Sequence, residues 1–94
     1  MNYPHLDTLI KAYLNQDYEY WGSTLEEVID AFKRDSAAFA NAELRAEIKR
    51  YVAEHPDDLD AAFTAAYGFD FDPALWDTTT LGFFQLLDAR LAAP

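Results

Sequence analysis

The sequence has 94 residues, 51% of them hydrophobic and 16% aromatic, and carries 17 acids against 7 bases for a net charge of −10. So much apolar material excludes a disordered chain, and the length suits one domain with one modest core. The acidity argues against direct binding to nucleic acid or to an anionic membrane, which need Lys/Arg patches, and the absence of cysteine excludes disulfides, thiolate metal sites and thiol nucleophiles.

The N-terminal MNYPHLDTL lacks the basic and apolar regions of a signal peptide, and no apolar run approaches the roughly 18 residues of a membrane span. A cytoplasmic protein is the expectation. Leu6, Leu9, Ile10, Tyr13 and Leu14 then match one face of an amphipathic helix. The helix exits into NQDYEYWGS (15–23), where Asp17 to Trp21 set three large rings and two acids side by side. Lying between two helices, this stretch folds at least one ring back onto the core and leaves the others as exposed anchors.

Ser23-Thr24-Leu25-Glu26 reads as a capping box, in which a hydroxyl and a carboxylate satisfy the free amides of a helix start. Helix two therefore begins at about Thr24, with Leu25, Val28, Ile29 and Phe32 on its inner face and an Asp30 to Arg34 pair outside. Asn41 is the expected cap of a third helix, bearing Leu44, Ile48, Tyr51 and Val52 and ending near His55-Pro56. Asp57 or Asp58 caps a fourth, with Leu59, Ala62, Phe63, Ala66 and Tyr67 inward and Gly68 as a left-handed terminator. FDFDPALWDT (69–78) reads as an irregular connection. Thr78 or Thr79 opens a last helix carrying Phe83, Phe84, Leu86, Leu87 and Leu91, which frays at Ala92-Ala93-Pro94. The expectation is all-α: a compact bundle of four to five short helices, with residues 1–94 as a single helical domain.

Charge is unevenly spread. Glu54, Asp57, Asp58, Asp60, Asp70, Asp72, Asp77 and Asp88 occupy a stretch, Tyr51 to Ala89, that has no Lys or Arg. Helix-start electrostatics account for Asp57, Asp58 and Asp60. Asp70, Asp72 and Asp77 alternate with Phe69, Phe71 and Trp76, which reads either as a protein-recognition surface or as an aromatic plug into the core. The segment is not a calcium loop, because Pro73-Ala74-Leu75 stands where ligands are needed. His5 and His55 have no metal-ligand spacing, Ser23 and Ser36 have no motivated base, and the three glycines form no phosphate loop. No catalytic residue, metal ligand or cofactor is indicated. Acids and rings that share loops make Glu19, Trp21, Asp70, Asp72, Trp76 and Asp77 the candidate partner contacts.

The order of features YPHLDTLIKAYLNQDYEYWGSTLEEVIDAF (3–32) resembles the N-terminal half of the small helical immunity proteins of bacterial contact-dependent growth inhibition systems. The resemblance rests on Tyr3-Pro4, the Asn15-Gln16-Asp17-Tyr18 turn, Ser23 to Glu27, and Ile29 to Phe32. It implies an all-helical protein, not an enzyme, that binds and blocks the C-terminal toxin domain of an exoprotein delivered by a neighbouring cell, with no cofactor. Many such toxins are nucleases, and a basic toxin cleft would suit a charge of −10, with steering raising capture rates by roughly 10 to 10³. A monomer is expected when the protein is free. The alternative is an acidic nucleic-acid mimic or regulator occupying the groove of a basic protein.

Overall fold

Proline has no amide hydrogen to leave unsatisfied in a first helical turn, and Pro4 opens α1 (Pro4–Thr8) in the computed structural model, which describes residues 3–93. The helix continues directly as a π-helical segment, Leu9–Tyr13, closed by a Leu14 amide to Leu9 carbonyl bond of 2.9 Å. The sequence pattern implied a uniform α-helix here. The wider turn sets Leu9 and Leu14, five residues apart, on the same inner side, where Leu6, Leu9, Ile10 and Leu14 are all buried.

After a 3₁₀ turn, Tyr18–Tyr20, the chain enters α2 (Leu25–Asp35). Its capping box lies one residue later than the sequence reading placed it. Thr24 is the cap, its hydroxyl accepting from the Glu27 amide at 3.2 Å, while the Glu27 carboxylate accepts from the Thr24 and Ser23 amides. Both Ser23 and Thr24 are competent caps and both Glu26 and Glu27 are acids, so pattern alone did not fix the register. Gly22 tolerates this close return of Glu27, because a Cβ there would stand 2.5 Å from that of Glu27.

The third helix, α3 (Ala38–Glu54), starts earlier than the Asn41 cap would allow. Asn41 instead lies in the first turns, donating from Nδ2 to the Lys33 carbonyl at 3.3 Å and so tying the end of α2 to α3. The helix ends at His55 as expected. Asp58 precedes α4 (Leu59–Tyr67) without a side-chain capping bond, its carboxylate meeting His55 Nδ1 at 3.2 Å instead. Gly68 is not the left-handed terminator: its φ is −60°. Space is what it supplies, since a Cβ would lie 2.6 Å from the Thr64 carbonyl oxygen. Ala66 faces out rather than in. A 3₁₀ turn, Pro73–Trp76, interrupts the connection, and α5 (Thr80–Ala92) begins behind Thr79, whose hydroxyl accepts from the Gly82 amide at 3.0 Å. Ala93 ends the helix; Pro94 lies outside the described residues.

The fold is all-α. Helix α5 packs against α2, α3 and α4, while α1 lies on α3 and its π extension on α2. The core is unusually aromatic. Phe63 and Phe83 are fully buried, joined by Tyr51, Tyr67, Phe71 and Phe84, and full burial of each large apolar side chain contributes about 1.5–3 kcal/mol. The Asp30 carboxylate takes the Arg90 guanidinium from α5 rather than Arg34, which meets Asp35. Packing of α5 on α2 brings a two-pronged donor to Asp30 that a neighbour on its own helix does not match. On the far side Arg45 binds Asp88 at 2.8 Å, clamping α3 to α5.

Candidate functional site

The two segments in which acids alternate with rings come from opposite ends of the sequence, and the fold puts them together. In the first, Asn15 Oδ1 accepts from the Asp17 amide at 2.9 Å, and Tyr18 and Trp21 fold back onto the core while Tyr20 stays 82% exposed. Trp21 stacks on Tyr13 with centroids 4.4 Å apart, and Tyr13 meets Phe32 edge to face at 5.3 Å. Glu19 is exposed between them. A shallow hollow of about 600 Å³, lined by Ala12, Gln16, Asp17, Glu19 and Tyr20, opens beside the turn.

The second segment is pinned by Phe71, which is buried against Phe83 at 4.7 Å. Asp72 Oδ1 accepts from the Ala74 amide at 3.0 Å and starts the 3₁₀ turn. That turn ends at Asp77, whose φ of 60° makes it the one non-glycine residue in left-handed space among the described residues; aspartate tolerates that region better than most. Trp76 is half-buried, 6.4 Å from Phe71 and 4.8 Å, edge to face, from Tyr18 of the first segment. Phe71, Pro73 and Trp76 plug this connection into the core, while Phe69, Asp72, Ala74, Leu75 and Asp77 are exposed.

Of the six residues singled out from the sequence, then, Trp21 and Trp76 brace the two loops, Asp72 and Asp77 shape the second, Glu19, Asp72 and Asp77 are solvent-exposed, and Asp70 is half-buried. Three apolar side chains outside those six are strongly exposed. Phe69 is 87% exposed, Leu75 83% and Tyr20 82%, large areas for residues with nothing of their own chain to cover them. Alternation in FDFDPALW would have set Phe69 on the same side as Phe71; the turn through residues 68–70, closed by the Asp70 and Phe71 amides on the Tyr67 carbonyl, sends it outward instead. Among the described residues Asp17, Glu19, Asp70, Asp72 and Asp77 enter no ion pair, whereas Asp30, Asp58 and Asp88 do. These two loops therefore hold five acids without an ion pair beside exposed apolar side chains.

No group of three or more His, Cys, Asp or Glu among the described residues is placed to hold a metal ion, and no helix among them is long and apolar enough to cross a membrane. What the surface offers is exposed apolar side chains in loops that also carry acids. Against known families, the sequence model of the CdiI immunity protein family matches residues 2–91. The chain belongs to the CdiI immunity protein family. Immunity proteins of this family neutralise toxins and are generally not enzymes. No curated protein and no solved structure gives a significant match to this chain.

Proposed function

We propose that this CdiI-family protein binds and neutralises the C-terminal toxin domain of a cognate contact-dependent growth inhibition exoprotein, a basic domain of the nuclease type, in the cytoplasm. The observation that carries this reading is the joined pair of loops held by the Tyr18–Trp76 contact, with Tyr20, Phe69 and Leu75 exposed in loops whose acids enter no ion pair among the described residues. Aromatic and aliphatic anchors inside a charged rim are how specific interfaces divide their energy: the anchors hold, and the rim steers and discriminates.

Glu19, Asp70, Asp72 and Asp77 form the steering rim in this reading, and Trp21 and Trp76 act as braces that fix the anchors' positions. Inhibition is by occlusion, with no cofactor and no chemistry on the toxin. A standard interface takes about 800 Å² from each partner, a modest part of the 5447 Å² this molecule exposes. The test is a growth assay in which the toxin tail encoded upstream is expressed with and without this protein, beside a non-cognate tail. Selective rescue from the cognate tail is expected; rescue from neither, with both proteins folded, would remove the reading.

A further inference from the structure

Seven residues fall just short of two turns of a uniform α-helix, so an unbroken α1 would bring Tyr13 under Leu6 at the centre of the buried face and leave Leu14 about a quarter turn to one side. The structure has the opposite arrangement. Leu14 is 2% exposed, whereas Tyr13 is only partly buried. The exchange comes from the π segment Leu9–Tyr13, in which the Leu14 amide reaches back five residues to the Leu9 carbonyl. Such turns are rare and occur mostly as single turns set into an α-helix. The extra residue is taken up on the outside, where Lys11 and Ala12 are exposed.

At the flank of its helix Tyr13 joins three elements. Its ring lies on Trp21 at 4.4 Å and meets Phe32 of α2 edge to face at 5.3 Å, and its hydroxyl donates to Asp35 Oδ2 at 3.3 Å. Trp21 in turn meets the exposed Tyr20 edge to face at 4.7 Å. A line of rings therefore runs from buried Phe32 through Tyr13 and Trp21 to Tyr20. The backbone hydrogen bonds of residues 16–22 run to residues of the same turn, so side-chain packing, at Tyr13 and at Trp76, is what fixes this turn on the body of the protein. An anchor already held in its bound orientation gives up less conformational freedom on association.

We propose that the π turn is a positioning device for the partner-binding surface: by taking Leu14 into the core in place of Tyr13, it sets Tyr13 against Trp21 and so holds Tyr20 where a toxin domain meets it. Tyr13 is a positioning residue, acting through Trp21 rather than by touching the toxin. The inference rests on the toxin-binding reading above and deepens it, because it assigns the strength of one anchor to a residue outside the interface.

The experiment has two arms. In the first, cognate toxin binding is measured at a temperature where every variant is folded. Tyr13→Phe keeps the stack and loses only the bond to Asp35, whereas Tyr13→Leu keeps apolar volume and loses the stack. The first is expected to bind within about twofold of the parent and the second about tenfold more weakly. Tyr20→Ala should weaken binding too, and adding Tyr13→Leu to it should cost little more, because both act through one ring. Equal weakening by Phe and Leu, unchanged binding by Leu, or losses that multiply in the double variant would overturn the proposal. In the second arm the free protein is followed by NMR. Ring-to-ring nuclear Overhauser effects between Tyr13 and Trp21 are expected in the unaltered protein and should survive deletion of Ala12, after which a regular α-helix carries Leu14 inward with one residue fewer. Their absence from either folded protein would overturn the register assignment. No binding by the unaltered protein would sink the toxin reading itself, while the ring contacts would still decide the register.

Discussion

Tyr18 and Trp76 meet edge to face with their ring centroids 4.8 Å apart, joining the turn that follows the π segment to the loop between α4 and α5. Through Trp76 and Phe71 the contact runs on to Phe83 in the core. The two loops therefore touch, and the pair should be energetically coupled. A double-mutant cycle on Tyr18→Ala and Trp76→Ala, read by urea denaturation, is expected to give a coupling of about 0.5–1.5 kcal/mol. Additive single losses would mean that each loop is held independently.

Phe69 and Leu75 touch little of their own protein, so truncating them should separate binding from folding. Each alanine variant is expected to stay within about 0.5 kcal/mol of the parent in stability. Each should also lose about 2 kcal/mol or more of toxin affinity by calorimetry, as anchors near an interface centre do. Tm losses matching the affinity losses would show that these side chains serve the fold instead.

The rim acids should act on the rate of encounter more than on the lifetime of the complex. Asp72 also caps Ala74, so Asn, which keeps an acceptor, is the informative replacement there, with Lys at Asp70. The Asp70→Lys/Asp72→Asn pair is expected to slow association by about tenfold at low salt and to flatten its dependence on ionic strength, with little change in dissociation. Association kinetics that keep the parent's salt slope would place both residues outside the interface.

Much of this architecture is legible because its cues are local. The apolar spacing of α1, α2 and α5, the proline after His55 and the threonines before α5 all act within one or two turns. The misses come from contacts between elements. Asn41 carries the chemistry of a cap, yet the Lys33 carbonyl of the preceding helix claims it. Asp30 has Arg34 one turn away, yet α5 brings Arg90. Glu47 looks like any acid on a helix surface and is 2% exposed, because the start of α1 needs an acceptor that Tyr3 lacks. In the candidate site the acids and rings could be read from composition, but which ring faces out depended on where Phe71 found its pocket.

Glu47 accepts from the His5 and Leu6 amides, each at 3.0 Å, and from His5 Nδ1 at 2.5 Å. Removing the carboxylate strands three donors at the start of α1. Glu47→Ala should cost about 3 kcal/mol and Glu47→Gln, which keeps one acceptor, about 1 kcal/mol, by denaturant titration. Near-neutral alanine would mean that these donors are satisfied without Glu47.

Acid sensitivity follows from a second carboxylate that serves a neighbouring helix. Thr80, at the start of α5, donates its amide to Asp60 Oδ1 at 3.1 Å, and hydrogen bonds from its hydroxyl and amide hold the Asp60 carboxyl below its ordinary value. Arg90 does the same for Asp30, as do the Ser23 amide and hydroxyl for Glu27. Where the folded state's pKa is the lower, the unfolded chain binds more protons, so the stabilisation is complete above the unfolded value, near about 4, and disappears as the pH falls through the folded one. The melting temperature should therefore hold from neutrality to about pH 5 and drop below about pH 4. Asp60→Asn, which can still accept from Thr80 but no longer titrates, should make that drop shallower, as thermal melts at stepped pH would register. An acid limb of unchanged steepness in the variant would show that Asp60 contributes nothing to it.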